Sequence, residues 1–228
     1  MEPYWDTHNP YFIVKRLLDL TVALAVAAPA ALLVGVGAFA MKRSSAGPAF
    51  FVQERPGYKG KAFRLYKLRT MIIETERNGQ TLGDMQRTTK MGSLLRKLSI
   101  DELPQLWNIL KGEMSFLGPR PLLPKYLPLY STEQMRRHDV PPGISGWAQV
   151  NGRNAITWEE KFRCDVWYVD NVSLRVDLGI LVLTIGSVVM RTGVNAGASE
   201  TMGEFRGAQA AEGGQESAWE EHREGRPA

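Results

Sequence analysis

The chain reads as an α+β protein, mostly helical, with a re-entrant membrane helix near its start and one small β-hairpin. Three observations predict this. Leu20 to Met41 form a run of 22 residues without one charged side chain. Two neighbouring stretches, Ala49–Arg55 and Ala62–Met71, are rich in aromatic and branched residues, and the turn chemistry of Pro56-Gly57-Tyr58-Lys59-Gly60 separates them. Further on, Ser99, Ser131 and Thr157 each stand three residues before a Glu or Gln, the spacing of a helix capping box.

At about 1.5 Å per helical residue the uncharged run reaches roughly 33 Å, the thickness of a bilayer core. Lys15 and Arg16 precede it and Lys42 and Arg43 follow it, so cationic flanks give a straight span no orientation. Pro29 has no N–H for the carbonyl of Ala25, and its ring crowds that turn. A sharp bend at Ala28-Pro29 is therefore expected, taking the segment into one leaflet and back with both ends on one face. Three other readings compete: a secretory signal peptide, a straight single span, and a buried core helix. Apolar sequence continues well past the small residues Ala23–Ala31, which argues against the first. The length argues against the last.

The remaining elements follow in order. Asn78–Asp84 is a polar loop, and Thr88–Lys97 a short helix with Met91, Leu94, Leu95 and Leu98 on one side. Ser99 opens a helix through about Leu110, with Pro104 in its first turn. Gly118-Pro119-Arg120-Pro121 is a stiff loop, followed by a short helix near Pro124–Tyr130 and another from Ser131 towards His138. Pro141–Gly146 is a second stiff loop, and Thr157 caps a helix towards Asn171. Leu178–Met190 is apolar but too short to span, so it lies in the membrane interface or the core. From about Gly207 the chain is rich in Gly, Ala and Glu and reads as a disordered tail.

Bulk composition narrows the classes. At 228 residues the chain holds one core of ordinary size. One cysteine, Cys164, excludes an internal disulfide, and three scattered histidines give little support to a His-based metal site. From Glu200 onward seven acids face three bases, a net of −4, which leaves +8 for residues 1–199. A basic body suits an anionic lipid surface or a phosphorylated substrate. Its cations form no dense run interleaved with aromatics, so nucleic acid is not expected as a partner.

Asp101 and Glu102 are adjacent carboxylates in a helical first turn. Such acids commonly serve the helix dipole alone. In the same place an ionised carboxylate can hold Mg²⁺ with substrate phosphates, or attack phosphorus. Arg120, fixed between two prolines, suits two-pronged phosphate binding, or else caps a helix or pairs with an acid. Lys67, Arg69 and Arg96 are each ordinary surface cations when taken singly, but with Arg120 they can neutralise a diphosphate and a lipid phosphate. Gly143–Gly152, with Gln149, Asn151 and Arg153, offers polar groups for a sugar or base, and reads equally as a tight structural turn.

Several long stretches together resemble one family. Leu98 to Asn108 (LSIDELPQLWN), Gly112 to Phe116, Gly118 to Pro121, Val52 to Gly57, Tyr66 to Met71, Arg137 to Val140 and Pro142 to Arg153 occur in the order found in the bacterial sugar transferases, the monotopic polyprenyl-phosphate phosphoglycosyltransferases. The likeness covers roughly residues 11–206 and looks like the minimal form of the family. It implies a re-entrant helix region over 1–43, a cytoplasmic catalytic domain over 44–206 and a tail over 207–228, placed at the cytoplasmic face of a bacterial inner membrane. It also implies transfer of a sugar 1-phosphate from a UDP-sugar to undecaprenyl phosphate, with release of UMP, by a ping-pong route. By position Asp101 is then the nucleophile and a Mg²⁺ ligand, and Glu102 the second member of the dyad. Arg120 and Arg96, with Lys67 less strongly, match positions of phosphate binding. Close relatives bend the membrane helix at Ser-Pro, where this chain has Ala28-Pro29. Interfacial aromatic candidates are Tyr11, Phe12, Trp158, Trp167 and Tyr168. A homo-oligomer is compatible with this picture. The alternatives are a non-catalytic membrane scaffold and a direct glycosyltransferase that releases UDP.

Overall fold

A computed structural model describes residues 9–77, 79–152, 156–189 and 203–207. Helix α1 runs over Tyr11–Ser44 and continues through Pro29 without interruption. The proline expected to bend the segment at Ala28-Pro29 thus stands inside a continuous helix, with packing on both sides of it. Ala23 and Ala30 are buried against Phe63, Leu65, Leu106, Ile109 and Met114, which hold the two halves to one surface.

One stripe of α1 faces the protein: Phe12, Lys15, Asp19, Ala23, Ala30, Gly37 and Met41 are buried. The opposite face exposes Ile13, Leu17, Leu24, Leu32, Val36 and Phe39. That is the reverse of an amphipathic helix in water, which turns its charges outward. Lys15 donates to Asp177 at 2.5 Å, and Arg16 donates to the carbonyls of Ile109 and Leu110. At the other end Met41 is wholly buried with Leu68 and Leu95. By length and composition α1 can cross a membrane, and the apolar open face associates the protein with one.

Strands β1 (Phe50–Pro56) and β2 (Ala62–Leu68) form the expected antiparallel hairpin, in register from Phe50↔Leu68 to Pro56↔Ala62. Phe63 and Leu65 alternate into one core cluster, as a period of two requires, while Leu68, out of that phase, is buried against Met41 and Leu95. A minimal pair, β3 (Glu76–Arg77) just before the expected polar loop and β4 (Gln80–Thr81) within it, precedes the short α2 (Asp84–Arg87). Helix α3 (Lys90–Lys97) is capped by Thr89, whose hydroxyl accepts from the Gly92 amide at 2.8 Å.

The capping box expected at Ser99 does not form. Ser99 is left-handed (φ 56°) with no side-chain cap, and a 3₁₀ segment, Ile100–Gln105, leads into α4 (Leu106–Lys111). The Glu102 carboxylate is drawn away to two cations, so it cannot return to the Ser99 amide. The boxes at Ser131 and Thr157 do form, opening α5 (Thr132–Met135) and α7 (Trp158–Asn171).

Strand β5 (Ser115–Leu117) pairs in parallel with β6 (Gly143–Ser145), a contact the sequence did not announce. The Pro124 helix is a 3₁₀ segment, Pro124–Leu129, and a second one covers Arg136–His138. Helix α6 (Trp147–Val150) is short, and α8 (Leu174–Val189) buries Asp177 and Ile180 while exposing Leu178, Leu181, Val182 and Ile185. Phe12 and Tyr168 belong to the core, not the interface, and Trp158 packs with Tyr126, Phe162 and Phe205. Of the five aromatic candidates Trp167 is the exposed one, stacked on Trp147 with centroids 4.5 Å apart. The tail beyond Gly207 lies outside the described residues.

Candidate active site

Four elements meet at the carboxylate pair. The 3₁₀ segment after Ser99 presents Asp101 and Glu102, β2 presents Lys67, α3 presents Arg96 and the Pro119–Pro121 loop presents Arg120. A 3₁₀ helix has three residues per turn, so neighbouring side chains diverge by about 120°. The two carboxylates accordingly meet different surroundings.

Glu102 is claimed. Its Oε1 accepts from Lys67 Nζ at 2.8 Å and from Arg120 Nη2 at 2.6 Å. Burial works against its ionisation, but the Arg120 guanidinium and then the Lys67 ammonium overcome it and hold the carboxyl down to about 2. Asp101 is not held by a cation in this way. It is 9% exposed, and its carboxylate enters no ion pair among the described residues. Burial and the neighbouring Glu102 charge raise its proton affinity, with Lys67 and Arg96 pulling the other way. The two titrations are driven apart, which is how one site gives two carboxylates different work. Lys67 is itself pushed down by burial and by Arg120, with Glu102 opposing.

Arg120 reaches this point because two stiff loops press together. A Cβ on Gly118 would stand 2.3 Å from the Pro141 carbonyl oxygen, and one on Gly143 2.1 Å from the Gly118 nitrogen. Only glycine permits that approach. The Gly143 amide then donates to Pro119 O at 3.0 Å and the Gly118 amide to Ser145 O at 2.9 Å.

The other expected site residues divide. Arg96 donates from Nε to Thr70 Oγ1 at 2.9 Å, and its charge acts on Asp101. Arg69 is used otherwise: it is buried, and its three nitrogens donate to the carbonyls of Pro48, Met71 and Ser45, bracing the end of α1 to β2. Strand β2 ends at Leu68, so Arg69 does not inherit the direction of Lys67. Gln149 donates to Ile144 O at 2.8 Å, the same carbonyl that Arg120 Nη1 approaches at 3.5 Å. Asn151 is exposed and, directly after α6, returns to Trp147 O at the start of that helix. Arg153 lies outside the described residues. Sequence reasoning passed over Arg55, which donates to Gln53 Oε1 and to Pro121 O, and Arg137, buried behind Arg120. Their signal was membership of the long motifs alone.

Among the described residues no group of three or more His, Cys, Asp or Glu forms a ready metal cage. The Asp101 carboxylate suits an ion of a different kind, one held by a single carboxylate together with substrate phosphates.

Residues 10–191 match the model of the family described as bacterial sugar transferase. The chain belongs to that family. It is 52% identical over 195 residues to the uncharacterized sugar transferase EpsL of Bacillus subtilis, covering 86% of this chain and 96% of the relative. It is 39% identical over 188 residues to the UDP-N-acetylgalactosamine-undecaprenyl-phosphate N-acetylgalactosaminephosphotransferase of Aeromonas hydrophila, covering 78% of this chain and 44% of that protein. A third bacterial sugar transferase relative is the UDP-glucose:undecaprenyl-phosphate glucose-1-phosphate transferase of Xanthomonas campestris, 39% identical over 194 residues, with 78% and 39% covered. The chain thus spans nearly all of EpsL and under half of the other two.

Proposed function

We propose that this bacterial sugar transferase moves a sugar 1-phosphate from a UDP-sugar to undecaprenyl phosphate and releases UMP, through a phosphosugar held on Asp101. The Asp101 carboxylate, which enters no ion pair among the described residues, beside a Glu102 whose Oε1 is held by two cations carries the assignment. Two cations on Oε1 fix the Glu102 carboxylate and withdraw its charge, which makes it the poorer nucleophile of the two. In the first half, an Asp101 oxygen bonds to the phosphorus that bears the sugar, the pyrophosphate bond breaks, and UMP leaves with the electron pair. In the second half, an oxygen of undecaprenyl phosphate attacks the same phosphorus and the aspartyl bond breaks, restoring the carboxylate. Arg120, Lys67 and Arg96 face the charge of both phosphates. Asp101 would also hold Mg²⁺ arriving with the diphosphate, whose chemistry is to neutralise charge on the departing phosphate. Glu102 fixes Lys67 and Arg120 as a pair.

The same reading places the protein on the cytoplasmic face of the inner membrane, without crossing it. Successive buried positions along α1 are never more than seven residues apart, from Ala23 to Ala30 and again to Gly37. Seven residues rise about 10 Å, a third of a bilayer core, and contacts recurring at that spacing favour a helix that stays against the body over one that spans.

The test is wild-type protein in detergent with undecaprenyl phosphate, Mg²⁺ and either UDP-glucose or UDP-N-acetylgalactosamine. UMP release, and a mass gain of one phosphosugar when the lipid is withheld, support the proposal. Asp101→Asn should lose the mass gain and at least about a thousandfold in rate. Release of UDP defeats it.

A further inference from the structure

The Pro119-Arg120-Pro121 segment is held by its carbonyls. The two prolines have no N–H to donate, and each of the three successive carbonyls accepts from a different part of the fold. Pro119 O takes the Gly143 amide at 3.0 Å, Arg120 O takes Arg137 Nη2 at 2.8 Å, and Pro121 O takes Arg55 Nη1 at a longer 3.4 Å. The middle contact comes from a side chain that is almost wholly buried. The Arg137 side chain is 1% exposed and its partner Asp165, on α7, 2%. Arg137 Nε and Nη2 both donate to Asp165 Oδ2, at 3.1 and 2.7 Å, so Nη2 bridges that carboxylate and the Arg120 carbonyl. The rings of Tyr130 and Phe162 lie 5.9 and 5.8 Å from its guanidinium carbon.

A buried arginine paired with a buried acid is ordinarily a structural device. This one differs because its Nη2 also donates to the backbone of the residue whose side chain grips Glu102. Arg120 is thus fixed at both ends, by Arg137 at the carbonyl and by Glu102 at the guanidinium. Its neighbour Arg136 shares none of this; it is exposed and pairs with Glu133 and Asp170.

We infer that Arg137, backed by Asp165, is a positioning residue for the reaction proposed above, setting where the Arg120 guanidinium stands over the carboxylate pair. The inference rests on that functional reading for its consequence, though not for its geometry. A lysine at position 137 keeps the charge and can still meet Asp165, but a single ammonium cannot reproduce the fork that reaches Arg120 O as well. A misplacement of about 1 Å at a reacting centre costs up to roughly a hundredfold in rate.

The experiment is a double-mutant cycle on the full chain in detergent, read by UMP release and by amide hydrogen exchange. Arg137→Lys should lower kcat at least about tenfold in the wild-type background, yet less than about twofold in an Arg120→Lys background. Exchange of the Gly118 and Arg120 amides should quicken while the Leu65 and Ile109 amides stay protected. Asp165→Asn, which keeps the shape and an acceptor, should repeat the pattern more mildly should Arg137→Lys fail to fold. Equal losses in both backgrounds, or exchange that quickens everywhere alike, would overturn the inference. If the wild type releases no UMP, the functional reading fails, and the exchange pattern still decides what Arg137 does.

Discussion

Replacing Glu102 by glutamine probes the electrostatic centre of the site. Glu102 holds its proton affinity down at about 2 in the folded chain against an ordinary 4.5, because Arg120 and Lys67 both end on its Oε1. At 1.36 kcal/mol per unit, that difference is worth about 3 kcal/mol of stability at neutral pH. The side chain is only one-fifth exposed, so solvent screens little of it. The sign follows from which state binds the proton. A depressed folded value gives stabilisation that is complete above 4.5 and drains away as the pH falls through about 2. Glu102→Gln should therefore cost about 3 kcal/mol at pH 7 and only about 1 kcal/mol at pH 3. It also removes the negative charge that raises the proton affinity of Asp101, so any residual activity should persist to lower pH than in the wild type. Denaturant unfolding in detergent at the two pH values measures the first effect, and the acid limb of UMP release the second. A loss at pH 7 below about 1 kcal/mol, or one that does not shrink at pH 3, would refute the claim that Glu102 is the anchor of both cations.

Two further outcomes test how α1 is held. Lys15→Met leaves the buried Asp177 charge with only the hydroxyls of Tyr11 and Tyr168, and should cost about 3 kcal/mol; adding Asp177→Asn should recover part of the loss. In a Cys164→Ser background, single cysteines placed at Ile13 and at Lys42 should both react with a membrane-impermeant maleimide from the cytoplasmic side; labelling of either from the periplasmic side defeats the non-spanning arrangement.

What could be read from the sequence was local in origin. The hairpin was legible because two stretches rich in aromatic and branched residues flank the Pro56–Gly60 turn at short range. The cap at Thr157 was legible for the same reason. Ser99 has the same spacing and fails, because its Glu102 is claimed by Lys67, 35 residues back, and Arg120, 18 ahead. Lys67 and Arg69 looked alike from composition; the end of β2 at Leu68 separates them, one turned to the carboxylates and the other to three carbonyls. Both stiff loops were visible as Pro-Gly sequence, but their contact rests on the three-residue strands β5 and β6, too short to show a period. Arg136 and Arg137 are adjacent and chemically identical, and only the fold buries one of them.

The placement of charge on α1 bears on how the site keeps its height over a membrane. Lys15 and Asp19 sit on the protein-facing stripe while leucines and valines face outward, an arrangement that costs stability in water and is neutral against lipid. Lys15 joins Asp177 of α8, and Tyr11 and Tyr168 close on the same carboxylate, so one buried cluster ties together two helices that both turn leucines outward. Neither helix can change depth without the other. The Lys15 turn is continuous with Arg16, whose donors end on Ile109 and Leu110 of α4, in the segment that directly follows Asp101 and Glu102. A membrane that accepts the outer faces of α1 and α8 thereby fixes the height of the carboxylate pair through these contacts. On the proposed reaction, that is what lets a soluble donor and a lipid phosphate approach the same aspartate in turn.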